Sequence, residues 1–319
     1  NGTGTNGAGA LASRAGSNTV TGAVNLSGNA LINAASNSGL NITGAINGNK
    51  ALAAAGGGNF SFAKIGNAHA VAGINITAAA RVGFTDAVTS TENISVVANN
   101  SVSLNGTMTA TGSMVRFDTT GNVTQSDSGN IIADRLALKG GGGHHTLTAT
   151  TNNVSTLAAD TGSFSYVNMG SLTIGVVNPT GINATGPVSI TTLSGNLVVS
   201  QNITTADNSA NALLLNAGMN GVAGNSTGGD IVLNGAAITV GSGGRASFYT
   251  GSVTGTTALA AAVGPSTGHF RYNSDQTNKN YTLDLGMGSY VIYREQPTAN
   301  LTALDTRKMY DRLAWTGGV

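Results

Sequence analysis

Residues 186–205 constrain the fold of this chain more than any other stretch. They contain three short runs, at 188–191, 197–200 and 202–205, each rich in Val, Ile, Leu or Thr and separated by Ser, Gly, Asn and Gln. Val, Ile and Thr suit a pleated strand, while Gly and Asn tolerate the tight turns between strands. Relatives of the same pattern recur at Leu40-Asn41-Ile42-Thr43-Gly44, Ile74-Asn75-Ile76-Thr77 and Asp230-Ile231-Val232-Leu233-Asn234-Gly235. Further short runs fall at 20–26, 30–33, 60–65, 80–84, 94–98 and 101–104, at the spacing of an all-β protein. The Ala run at 51–55 has helix propensity, but Gly56-Gly57-Gly58 follows at once, so a turn or short strand is expected there.

A sandwich and a solenoid both give short strands at this spacing. A sandwich wants large aromatic residues in its core. Residues 1–244 hold only Phe60, Phe62, Phe84, Phe117, Phe164 and Tyr166, and a thin solenoid interior has little room for rings. Asn at recurring turns suits amide ladders between coils. The fold expected is a right-handed parallel β-helix, or β-solenoid, of degenerate coils of roughly 20 residues. About 12 coils at one strand spacing each give a rod roughly 60 Å long.

Charge narrows the function classes. Only 8% of the 319 residues are charged and the net charge is +1, while 40% are hydrophobic. That leaves no basic cluster to neutralise phosphates, hence no nucleic-acid partner, and no polybasic membrane anchor. No apolar run is long enough for a membrane span. Cysteine is absent, which excludes disulfides, thiolate metal sites and cysteine nucleophiles. Asn1-Gly-Thr-Gly-Thr5 has no signal-peptide character, so a processed chain or an internal piece of a longer one is expected.

Chemistry-bearing residues are scattered. Asp118, Asp127 and Asp134 form the only local carboxylate group, with Arg116 and Arg135 beside it. A glycoside hydrolase needs two carboxyls about 5–10 Å apart, and a lyase would add a cation and an arginine base. Solvated turn aspartates are the simpler reading, and a β-helix polysaccharide lyase or hydrolase ranks last among the functions. His144-His145 follows Gly140-Gly-Gly-Gly143 and reads as a protruding loop without the rigid surroundings of a metal site. His69 and His269 are isolated, and Gly228-Gly229-Asp230 is a single unrepeated echo of a calcium-binding repeat. No catalytic residue, metal site or cofactor is therefore assigned. Residues 139–146 and 218–229 are the two Gly-rich loops on which a glycan-binding module would rely.

Composition changes after Arg245. Residues 269–319 carry 11 of the 27 charged residues and seven of the 15 aromatic ones. The division expected is a stem at 1–245, a closing segment at 246–298, and a linker opening a further β-rich module at 299–319. A solenoid end needs a cap over its unpaired edge and core. Residues 281–293 suggest a capping hairpin, with Gly286-Met287-Gly288-Ser289 as its turn.

The C-terminal stretch resembles a segment of the filamentous-haemagglutinin-like large exoproteins and adhesins of Gram-negative bacteria. The residues that carry this are Ala246-Ser-Phe-Tyr-Thr-Gly251, Phe270-Arg-Tyr-Asn-Ser-Asp275, Asn280-Tyr-Thr282 and the run 285–298. Lys308-Met-Tyr310-Asp311-Arg312 is similar to the start of a Tyr-Asp-Gly module, with Arg312 where that family has Gly. The resemblance covers roughly the last quarter of the chain. It implies two-partner secretion through an outer-membrane β-barrel transporter, and an extracellular, cell-surface location. It implies an adhesin stalk or extracellular fibre serving attachment or biofilm. End-to-end self-association into filaments and binding of host or matrix glycans are further partner expectations.

Overall fold

The computed structural model describes residues 2–264, 267–298 and 300. The chain is a β-solenoid of about 13 turns, with half of its residues in strands. Ladders between its strands run parallel, as in the pairs Leu52–Ala55 with Ile74–Phe84 and Val188–Thr192 with Leu213–Asn216. Each turn lays its strands on those of the turn before. Leu52 faces Ile74, 22 positions on, and Ile182 faces Ile203, 21 positions on.

The interior is made of columns that climb from coil to coil. One column reads Leu40, Phe60, Val82, Val102, Val123, His145, Phe164, Val188, Leu213, Ala246 and Ser289, each in register with the next. Inward residues alternate with outward ones along each strand, so Ala30–Ala34 reads buried, half-buried, buried, half-buried, buried. All six aromatic residues of 1–244 lie inside, and Phe62 stacks on Phe84 of the next coil at 5.8 Å. The interior thus accepts rings, provided each ring has one directly above or a smaller side chain to fill beside.

The polar composition has a structural use at the corners. Backbone N–H groups at a turn have no ladder partner and must find one elsewhere. The side-chain oxygens of Asn29, Asn47, Asn93 and Asn122 accept from the backbone N–H of Ala51, Ala68, Met114 and His144, each one coil further on. These asparagines bridge to backbone instead of forming the expected side-chain ladders. The motif recurrences are also out of step with the coils. Ile94 faces Ile74, which puts Asn75-Ile76 two positions away from the register of Asn93-Ile94.

Two expectations need correction. The Gly140–Gly143 run is not a protruding loop, because strand Ile131–Leu147 continues through it and turns a corner there. Gly140 has a φ of 109°, and a Cβ on it would run into the carbonyl oxygen of Thr119 in the coil below. Gly143 meets the carbonyl of Gly121 in the same way, and Gly162 meets that of Gly143. The glycines are there because stacked corners leave no space for a side chain.

The capping hairpin over 281–293 is the second correction. Its second arm exists as strand Gly288–Tyr293, but this pairs parallel with Arg245–Thr250, and 281–285 is not a strand. Parallel stacking therefore continues past Arg245. Strand Gly288–Tyr293 is sandwiched between Arg245–Thr250 and the two-residue strand Phe270–Arg271, which forms the outer edge. So short an edge offers little to a foreign strand. Helix Thr257–Val263 packs on Ile231–Leu233 and Gly288–Tyr293, with Leu259 only 1% exposed, and covers the end of the core. The module expected over 299–319 lies outside the described residues, Asn300 excepted.

Coil length changes toward this end. Offsets of 20–25 hold for most pairs up to Val188 with Leu213, as in Gly39 with Asn59 and Leu172 with Leu197. They rise to 34 for Leu197 with Ile231, 33 for Leu213 with Ala246, and 43 for Arg245 with Gly288. The extra residues leave the coil as the 218–229 loop and as the segment between Thr250 and Gly288.

Candidate functional site

The carboxylates singled out in the sequence do not converge. Asp118 points outward and is bound by the guanidinium of Arg116, two residues away on the same strand. Asp134 pairs with Arg135, its neighbour, at 3.4 Å, and Asp127 sits in an exposed turn. No described group of three His, Asp or Glu residues is placed to hold a metal ion.

The two adjacent histidines have opposite surroundings. His145 is fully buried in the core column between Val123 and Phe164. Its Nδ1 accepts the N–H of Val123 at 3.2 Å, so Nε2 carries the proton and donates to Thr161 Oγ1 at 2.8 Å. The Thr161 hydroxyl donates onward to the carbonyl of Gly140 at 2.9 Å. Each polar atom of this chain is satisfied with a neutral ring. Burial, aided by the neighbouring His144, lowers the His145 pKa to about 4. His144 is exposed, with Nδ1 2.6 Å from the hydroxyl of Ser163 on the next coil. The Gly-rich segment 139–146 is therefore a structural corner with one histidine on its outer side.

The 218–229 segment is a loop, as expected, but it is tied to the closing segment. Gly224 N–H donates to Arg294 O at 2.7 Å and Ala223 N–H to Asp275 Oδ2 at 2.8 Å. Arg294 is 1% exposed and donates through Nη2 to Gly229 O at 2.7 Å. Burial lowers its pKa, against the charges of Asp230 and Asp275. Burial alone would raise the pKa of Asp275, but backbone N–H groups of Asn278, Ala223 and Thr277 outweigh it and hold the value low.

The feature that does bring chemistry together is a groove of about 680 Å³ beside this closing segment. Its floor is the outward column Ser165, Ser189, Leu214 and Ser247, one residue from each of four successive coils in register. Three steps of one strand spacing make that floor about 14 Å long. One wall is the strap 276–285, which contributes Gln276, Lys279, Tyr281, Asp284 and Leu285. His144, Pro187 and Asn211 line other parts, and Arg245 and Tyr249 come from the strand Arg245–Thr250.

The strap is held by aromatic and cationic contacts. Arg245 donates through Nη1 to Leu285 O at 2.8 Å. The Arg271 guanidinium lies 5.4 Å from the ring centres of both Tyr281 and Tyr290, a cation–π arrangement. Tyr290 accepts from Gly286 N–H at 3.0 Å and stacks with His269 at 4.4 Å. Burial beneath the strap, and the hydrogen bond to Tyr281, push the Tyr249 pKa up. Lys279 and Arg245 are in none of the three ion pairs found among the described residues. Sequence reading missed this groove because its walls are more than 100 positions apart, from His144 to Leu285. The signal available was the aromatic and charged enrichment after Arg245.

No protein-family model matches the chain, and no curated protein or solved structure matches it either.

Proposed function

We propose that this chain is a load-bearing stalk or fibre segment of a secreted surface protein, of the filamentous-haemagglutinin-like type, serving attachment or matrix formation. The observation that carries this reading is the unbroken parallel stacking from Leu11–Ser13 to Gly288–Tyr293. Inter-coil hydrogen bonds lie along the axis of such a stack, so an extending force acts on many of them together. Its outward surface fits an extracellular setting. Asn bridges and threonine hydroxyls, such as Thr120 to Asn99 O at 2.8 Å, satisfy the corners without the ion pairs that salt screens. Resemblance of the closing segment to the large exoproteins supports secretion through an outer-membrane β-barrel transporter. The closed C-terminal end argues against end-to-end assembly through that face.

The test is made in the cells that produce the protein. Antibody labelling of intact cells should place it outside the outer membrane, and deleting its gene should reduce attachment. A chain that stays inside the cell with the transporter gene intact, or unaltered attachment in the deletion strain, would contradict the reading.

A further inference from the structure

We propose that the groove beside the closing segment binds an anionic oligosaccharide, one bearing carboxylate or sulfate groups. This site stands whether or not the chain is a stalk. Three features of the groove select the ligand class. Its floor and walls offer small neutral hydrogen-bonding groups at close spacing: Ser165, Ser189 and Ser247 from the floor, Asn211 and Gln276 from the sides. That density suits a ligand with a hydroxyl at nearly every carbon. Tyr281, half-buried on the strap, supplies aromatic surface of the kind that meets the apolar face of a sugar ring, and the buried Tyr249 backs it. Arg245 and Lys279 outnumber Asp284, and neither has a carboxylate partner among the described residues.

Other polymers fit less well. A peptide adding as a strand needs an unpaired sheet edge. The floor strand Val188–Thr192 is paired on both sides, to Asn153–Asn168 and to Leu213–Asn216. A nucleic acid needs several phosphate contacts, and two cations in a chain of net charge +1 do not supply them. A floor of four coils, about 14 Å, takes a few linked sugar rings laid along the solenoid axis. Their acidic groups would meet Lys279 on the strap and Arg245 at its foot.

The experiment is calorimetric titration of the purified chain with uronic-acid oligomers, sulfated oligosaccharides and neutral oligosaccharides of equal length. Saturable binding of at least one acidic series, weakened by added salt and absent for the neutral series, is expected. The two acidic series distinguish carboxylate from sulfate recognition. Lys279→Gln should weaken binding about tenfold, the loss of one charge-assisted hydrogen bond. Ser189→Trp should fill the floor and abolish binding, while Ser103→Trp, on the same outward column but outside the groove, should leave it unchanged. Circular dichroism and melting of each variant check the fold, and Lys279→Gln decides the matter if Ser189→Trp misfolds. No binding of either acidic series, equal binding of the neutral one, or wild-type affinity in Lys279→Gln would overturn the proposal.

Discussion

The middle of the stem and its C-terminal end share one inward pattern and differ in what they turn outward. Between Leu40 and Leu147 the outward positions are small or polar, as in the in-register series Asn41, Ser61, Gly83, Ser103, Thr124 and Thr146. In the last coils the outward positions include Leu214, Tyr249, Tyr290 and Ile292, and these form an apolar cluster of their own with Leu285 of the strap. Tyr249 and Tyr290 are 8% and 6% exposed although they point away from the main core. The inward column makes the coil, and the outward one decides whether anything is laid over it. The groove lies where the two regimes meet, with Ser165 and Ser189 on the stem side and Leu214 and Ser247 on the closing side.

The comparison can be broken hardest at the corners. Gly140→Ala forces a side chain against the Thr119 carbonyl at a positive φ, and should cost about 4 kcal/mol. Gly141→Ala, one residue on and with open space around it, should stay within about 0.5 kcal/mol. Urea unfolding followed by hydrogen exchange separates the two, because a repeat stack loses stability locally. Equal effects would mean that coil-to-coil contact does not set these positions.

At the other end one buried cation adds a side-chain tie between the 218–229 loop and the last coil, beside the backbone bond from Gly224 and the Asp275 contact. Arg294→Ala removes its hydrogen bond to Gly229 O and leaves a cavity, at a cost of roughly 3 kcal/mol. Faster amide exchange should appear in 218–229 and 288–293 and leave the coils before Leu147 unaffected. Loss of protection throughout would show that the two regions unfold as one.

Acid acts on the stem. The folded pKa of His145 lies near 4, below the ordinary 6.5, because the neutral ring is the form that fits the core. The unfolded chain then binds more protons between these values, so stability is full above pH 6.5 and falls as pH drops toward 4. The loss is about 3 kcal/mol, read as a falling melting temperature, and His145→Gln should flatten it. A profile that stays flat in the wild type between pH 7 and 4 would show that His145 is not held neutral.

The smallest effect concerns the asparagine bridges. Asn47→Ala leaves the N–H of Ala68 without its partner in an exposed corner and should cost about 1 kcal/mol. No change would mean that water replaces the amide at no cost.

The strands were legible because β-branched runs and turn residues follow local chemistry, and the parallel stack followed from scarce rings and scarce charge. The corner at Gly140 was not legible, since the reason for its glycines lies 21 residues back at Thr119. Gly121, Gly143 and Gly162 recur near the coil period, a signal that becomes visible only once the register is known. The closing segment misled for a different reason. Alternation at 281–285 and 289–293 is the same in a hairpin and in a strap followed by a parallel strand. Only the pairing of Ser247 with Tyr290 distinguishes them.

Parallel register between successive coils is the claim on which the rest depends, and the absence of native cysteine makes it directly testable. Ser103 faces Thr124, whereas Asn122 faces Ser101, two positions away. Neighbouring in-register Cα atoms are about 4.8 Å apart, within disulfide reach, and a two-residue displacement carries them to roughly 8 Å, beyond it. Under mild oxidation, the double variant Ser103→Cys with Thr124→Cys should close an intramolecular disulfide almost completely. Ser103→Cys with Asn122→Cys should remain reduced. Equal cross-linking of both pairs, or preference for the second, would contradict the stacked register.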